Sequence, residues 1–152
     1  MTDYSERLDA VERVRLASLP TPIAEAPRLA EHAGLARLLI KRDDMTGLAM
    51  GGNKARKLEY DLAGVVRSGY DVVVTIGGTQ SNHAVMAAAA ARRLGLDVKL
   101  VLGGPDFART QGNLLLDVLL GAEIRYLVDA DANAVLAAAM DEWVLELRRA
   151  GR

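Results

Sequence analysis

From residue 72 onward the chain repeats one physical pattern. Short apolar runs, "DVVVTI", "DVKLVLGG" and "AEIRYLV", begin near residues 72, 98 and 123. Each is followed by a helix-like stretch: "SNHAVMAAAAARRLG", "TQGNLLLDVLLG" and "DANAVLAAAMDEWVLELRRAG". A spacing of about 25 residues suits strand, helical crossover and parallel strand. The strands are near-continuously apolar rather than alternating, as expected of a parallel sheet covered on both faces. The fold class is therefore α/β, three layers, with helices on both faces of a parallel sheet. In the last helix acids fall early and arginines late, as the helix dipole favours.

The N-terminal third is less regular. Residues 4–17 have helical spacing, with Leu8, Val11, Val14 and Leu16 as the apolar positions. "LPTP" at 19–22 stops that helix, because proline fixes φ and removes a donor. A short helix is expected at Pro27–His32, ending near Gly34, and a strand at Leu38–Lys41. A loop with three glycines, "DDMTGLAMGGN", leads into the helix "KARKLEYDLAGVVRSG". Leu58, Leu62, Val65 and Val66 line one side of that helix.

Composition narrows the function classes. The 152 residues suit one domain, and 51% hydrophobic with 26% charged residues allow a core and a solvated surface. A net charge of −1 gives no general pull toward nucleic acid or an anionic membrane. The absence of cysteine excludes disulfides and thiolate metal sites, and two histidines argue against a histidine-rich metal site. Charges interrupt the first 20 residues, so they lack the apolar core of a secretory signal. The expected protein is soluble and cytoplasmic.

Two stretches carry chemistry. In "GGNKARKLE", Asn53 is placed to cap a helix whose first turn holds Lys54, Arg56 and Lys57. Cations oppose the positive end of the helix dipole. A bound anion such as phosphate would offset this, through the helix amides and Lys57. Alternatively, one lysine is functional, since such surroundings ease its deprotonation to a nucleophilic amine. A solvated basic helix start is the third reading. The second stretch is "GGTQSNHA". Strand Val72–Ile76 runs into Gly77 and Gly78, and a helix starts near Ser81. Ligands of parallel α/β sheets sit at the carboxyl ends of strands. Thr79, Gln80, Ser81 and Asn82 exceed the single polar residue a cap needs, so an anion cradle is expected. His83 is either an acid–base group or a residue tucked under the loop. His32 reads as a helix C-terminal cation, "RDD" at 42–44 as a strand end with a capping aspartate, and Gln111 or Asn113 as a helix cap. Met140 and Trp143 read as core-facing.

"LPTPI", "KRDDMTGLAMGGNKARKLEY", "GGTQSNHA" and "GNLLLDVLLGAE" occur in this order. Together they resemble the N-terminal half of the pyridoxal-phosphate-dependent D-cysteine desulfhydrase and 1-aminocyclopropane-1-carboxylate deaminase family, of the tryptophan synthase β-like fold. The resemblance implies that Lys54 bonds covalently to pyridoxal 5'-phosphate and shuttles the substrate proton. It implies that Lys57 reaches the cofactor phosphate and that Asn82 holds the ring hydroxyl. Ser81, with Gly78, Thr79, Gln80, Asn82 and His83 around it, would receive the substrate, its carboxylate foremost, and Ser81 would join Lys54 as a catalytic residue acting near Cα. His83 after Ser-Asn resembles the desulfhydrase and sulfo-lyase members more than the cyclopropane deaminases. Thr79 departs from the larger apolar residue usual there.

The implied reaction is β-elimination from a small amino acid, D-cysteine foremost, giving pyruvate, ammonia and sulfide. Deamination of 1-aminocyclopropane-1-carboxylate, or loss of sulfite from L-cysteate, are the alternatives, and a non-catalytic α/β binding or assembly module is another. Family members are roughly twice this length. Residues 1–53 would then belong mostly to a larger domain, and 54–152 would form a smaller one. The expectation is an incomplete fold: a fragment, truncated product or part of a split protein, inactive alone and homodimeric when full length.

Overall fold

The computed structural model describes residues 4–105, 110–130 and 133–152. The first helix, α1 (Tyr4–Asp9), is followed by strand β1 (Ile23–Glu25), helix α2 (Pro27–His32) and strand β2 (Leu39–Lys41). β1 and β2 pair antiparallel, with Ala24 opposite Ile40. A 3-10 turn at Asp43–Met45 precedes α3 (Lys54–Arg67).

The helix expected over 4–17 stops at Asp9. Residues 11–17 are irregular chain laid along α3. The reason is a competing partner for the backbone. The Val14 amide donates to the Glu59 carbonyl at 2.8 Å, and those of Leu16 and Ala17 donate to Glu59 Oε1 at 2.9 Å each. Arg93 donates to the Leu16 carbonyl at 2.9 Å. These bonds replace the i→i−4 ladder and drive Leu16, 1% exposed, into a core with Leu48, Leu58, Leu62 and Met86. Glu59 is itself buried, its charge met by those amides and by Arg13 at 3.6 Å.

The repeating part folds as its rhythm predicts. Strands β3 (Val72–Gly78), β4 (Asp97–Gly104) and β5 (Glu123–Val128) form a parallel sheet in that order. Helices α4 (Asn82–Arg93), α5 (Gly112–Leu119) and α6 (Asn133–Arg149) alternate with them. β4 is central and buried along most of its length. Val98, Leu100 and Leu102 pack with the alanines of α4, while Val101 packs with Leu136 and Trp143 of α6. Successive residues thus feed opposite layers. Trp143 is core-facing as expected, with Met140 packed beside it. The Arg125 guanidinium and the Lys99 ammonium lie 4.2 and 4.9 Å from its ring centroid. These cation–π contacts fasten α6 to the sheet. Arg148 and Arg149 end α6, as expected. The early acid Asp131 and positions 106–109 of the loop before α5 lie outside the described residues.

Candidate active site

The loop before α3 closes on itself. The Thr46 hydroxyl donates to the Gly52 carbonyl and accepts from the Gly52 amide, both at 3.0 Å. The Gly52 amide also donates to the Asp43 carbonyl at 2.8 Å. Gly51 has φ +78°, and a Cβ there would lie 1.9 Å from the Asp44 carbonyl oxygen, so only glycine fits. This turn delivers Lys54 to the first position of α3. Asn53 occupies the cap position, but its side chain makes no cap bond. Its backbone, at φ −69° and ψ −18°, is already helical, whereas capping needs an extended residue.

The three first-turn cations have separate fates. Arg56 clasps Asp43 with bonds of 2.9 and 2.7 Å and reaches the Thr21 hydroxyl at 3.0 Å. Hydrogen bonding by Arg56 holds the Asp43 carboxyl below its usual range. Lys57 pairs with Asp61 at 3.4 Å on an exposed face, a weak tie. Among the described residues Lys54 has neither hydrogen bond nor ion pair. Asp43 is therefore a structural anchor rather than a strand-end cap, and Asp44 pairs with Arg42. Among the described residues no group of three or more His, Cys, Asp and Glu is placed to hold a metal ion.

β3 runs through Gly78, and Ser81 caps α4. Ser81 Oγ accepts from the Ala84 amide at 3.2 Å and keeps its own proton to donate elsewhere. A Cβ on Gly77 would sit 2.8 Å from Ser81 Cβ, so the glycine lets the cap close. Thr79 is buried, its amide donating to the Gly103 carbonyl at 3.2 Å. The Gln80 side chain turns away to α5, donating to the Gln111 carbonyl and accepting from the Asn113 amide. Gln111 stands at the α5 cap position but makes no side-chain cap bond. Asn82 and His83 open α4, and their amides have no carbonyl within the helix to bond. His83 Nε2 lies 3.3 Å from Thr75 Oγ1, while Nδ1 is buried without a partner. The His83 ring is thus half-buried against β3.

The two helix starts meet. α3 packs on α4, and a Cβ on Gly52 would lie 3.2 Å from Met86 Sδ. Burial chiefly pushes the His83 pKa down, and Lys57 and Lys54 add to this against the opposing pull of Asp61. Both lysines therefore stand within electrostatic reach of the first turn of α4. Sequence reasoning missed one member of this cluster. Asn113, read only as a possible cap, donates from Nδ2 to the Gln80 carbonyl at 3.0 Å and to Asn82 Oδ1 at 2.9 Å. No local spacing announces a contact across 31 positions.

A sheet with an unpaired lysine and an amide-rich helix start at its carboxyl edge suits a covalently held, anionic cofactor. The family model "Pyridoxal-phosphate dependent enzyme" matches residues 14–150, and the chain belongs to that family. It is 46% identical over 140 residues to a Pyrococcus horikoshii protein provisionally named 1-aminocyclopropane-1-carboxylate deaminase, covering 92% of this chain and 42% of that one. It is 39% identical over 151 residues to D-cysteine desulfhydrase of Klebsiella pneumoniae, covering 96% and 45%. A crystal structure of a homologue of 1-aminocyclopropane-1-carboxylate deaminase superposes with a TM-score of 0.90 at 43% identity. That match covers 100% of this chain and 46% of the other. The chain spans a little under half the length of the relatives it matches. The incomplete tryptophan synthase β-like fold and pyridoxal phosphate as cofactor stand on these findings together. Among the described residues no helix is long and apolar enough to cross a membrane.

Proposed function

We propose that this chain carries the covalent anchor and substrate-carboxylate cradle of a pyridoxal-phosphate-dependent deaminase acting on a small amino acid. The observation that carries the reading is Lys54, unpaired at the start of α3, beside a helix start that still has free amides. The residues present fit the cofactor. Lys54 supplies the amine that bonds its aldehyde, and Asn82 an amide for its ring hydroxyl. Lys57, tied only to Asp61 on an exposed face, is free to turn to its phosphate. When bound, the cofactor supplies the electron sink that makes a Cα proton removable. Lys54 takes and returns that proton. Ser81 and the amides of Asn82 and His83 receive the substrate carboxylate, with Gly78 leaving room for it. Thr79 and Gln80 shape the bend: one is buried and the other is tied to α5.

Of the candidate substrates, 1-aminocyclopropane-1-carboxylate leads, because the 46% identical relative is provisionally named for that activity and the superposed structure is described as a homologue of that deaminase. D-cysteine is second, supported by the 39% identical desulfhydrase and by His83 after Ser-Asn. We also read residues 1–53 as part of a larger domain and 54–152 as the small one. The parallel sheet lies wholly within 54–152, and the antiparallel pair wholly within 1–53, which supports this division.

Borohydride treatment after incubation with pyridoxal phosphate, followed by peptide mass spectrometry, tests the anchor. The adduct is expected on Lys54. An adduct on Lys57, or on no residue, overturns the assignment. Ammonia release from 1-aminocyclopropane-1-carboxylate, D-cysteine and L-cysteate by a form extended to the relatives' length then decides the substrate.

A further inference from the structure

We infer that Asn113 is a positioning residue that fixes which end of the Asn82 amide faces the site. The inference rests on the reading of Asn82 as a cofactor ligand, but its geometry stands apart from that reading. An asparagine side chain can be turned by half a turn, exchanging donor for acceptor, and its partners decide which way it lies. Here two fixed backbone carbonyls decide. The carbonyl of Gln111 accepts from Gln80 Nε2 at 3.1 Å, so Gln80 Oε1 is left to accept from the Asn113 amide at 3.0 Å. The carbonyl of Gln80 accepts from Asn113 Nδ2 at 3.0 Å, so the nitrogen of that side chain points into the bend. The second Nδ2 proton goes to Asn82 at 2.9 Å, and only Asn82 Oδ1 can receive it.

The chain of bonds leaves Asn82 one outcome. Its carbonyl is held toward α5, and its NH₂ is left for a ligand. Asn82 thus offers donors to an acceptor such as a ring oxygen, and does not offer its carbonyl. Gly112 belongs to the same device: its φ is +58°, and a Cβ there would lie 2.3 Å from Gln80 Oε1. A larger residue would displace the Gln80 amide that anchors the series.

Two measurements on this chain test the inference. The first is side-chain amide hydrogen exchange by NMR without cofactor. Slow exchange of the Asn113 NH₂ and fast exchange of the Asn82 NH₂ are expected; the reverse overturns the proposal. The second is pyridoxal phosphate affinity by absorbance titration. Asn113→Ala frees the Asn82 amide and is expected to weaken binding about three- to tenfold, the worth of one hydrogen bond. Asn113→Asp can only accept, so it turns the Asn82 NH₂ away from the site and is expected to bind more weakly still. Asn113→Asp loses the bond to the Gln80 carbonyl just as Asn113→Ala does, and an acid in the first turn of α5 suits the helix dipole, so the fair stability comparison is between the two variants, which should melt alike. A purely structural role would instead leave Asn113→Asp binding as wild type, or the two variants equal, and either result overturns the proposal. If the wild-type chain takes up no cofactor, the functional reading falls, and the exchange pattern alone still decides the orientation.

Discussion

Among the described residues, His83 Nδ1 and both carboxylate oxygens of Asp117 are buried without hydrogen-bond partners. Each makes stability depend on pH, with opposite sign. Burial raises the Asp117 pKa from 3.8 to about 7. The folded state therefore holds the proton more tightly, and stability is greatest below the ordinary carboxylate value. It falls as pH rises through about 7, by an amount on the order of 4 kcal/mol. Asp117→Asn is expected to flatten that slope in urea unfolding midpoints measured from roughly pH 4 to 8. His83 is pushed down from 6.5, by burial first. Its contribution is intact above the ordinary imidazole value and is lost as pH falls below it. A His83→Gln variant should lose less stability than wild type between roughly pH 6.5 and 5.

At the scale of elements, Glu59 joins the N-terminal segment to α3. Glu59→Ala leaves the Leu16 and Ala17 amides without their acceptor and is expected to destabilise by about 2–3 kcal/mol. Glu59→Gln keeps an acceptor oxygen and should lose less, and chemical denaturation of the two variants checks the order. Trp143→Ala is expected to lose about 3–5 kcal/mol, since it empties the space between α6 and the sheet. These two joints differ in how far the sequence announces them. β3 to β5 and the intervening helices were legible because their signal is local: apolar run, glycine stop, apolar run. Leu8, Val11 and Val14 mimic a helical stripe just as well, yet their segment is claimed by Glu59, which lies 43 positions beyond Leu16. β1 was missed for a similar reason, since three residues, "IAE", carry no pattern of their own until β2 pairs with them. The lysine and Gln-Ser-Asn stretches were legible as chemistry. Their division of labour was not: Arg56 goes to Asp43 and Gln80 to α5 through contacts that only the fold creates.

For the whole molecule, the relatives' greater length sets the expectation. The chain as it stands should release no ammonia from any of the three amino acids, since it spans a little under half of those proteins. Measurable turnover by the 152-residue chain would show that the site is complete within it. Ile23, Leu39, Ile40, Met45 and Met50, all in the segment before α3, are exposed. β4 is buried along most of its length while β1 and β2 are largely exposed, so hydrogen exchange should be slowest in β4 and faster in that antiparallel pair.

The alanine run of α4 has a consequence for how such a gene can drift. Ala84, Ala87, Ala88, Ala90 and Ala91 are at most 1% exposed, wedged between α3, α5 and the sheet. Point mutation offers them two directions, and both are closed. Glycine gives up about 1 kcal/mol of helix propensity at each position. Any larger side chain must push a neighbouring helix aside, at typically 1–3 kcal/mol. The stretch with the least chemistry in the molecule should thus be among its least substitutable, while Lys57 and Asp61 on the open face of α3 can vary without disturbing the fold.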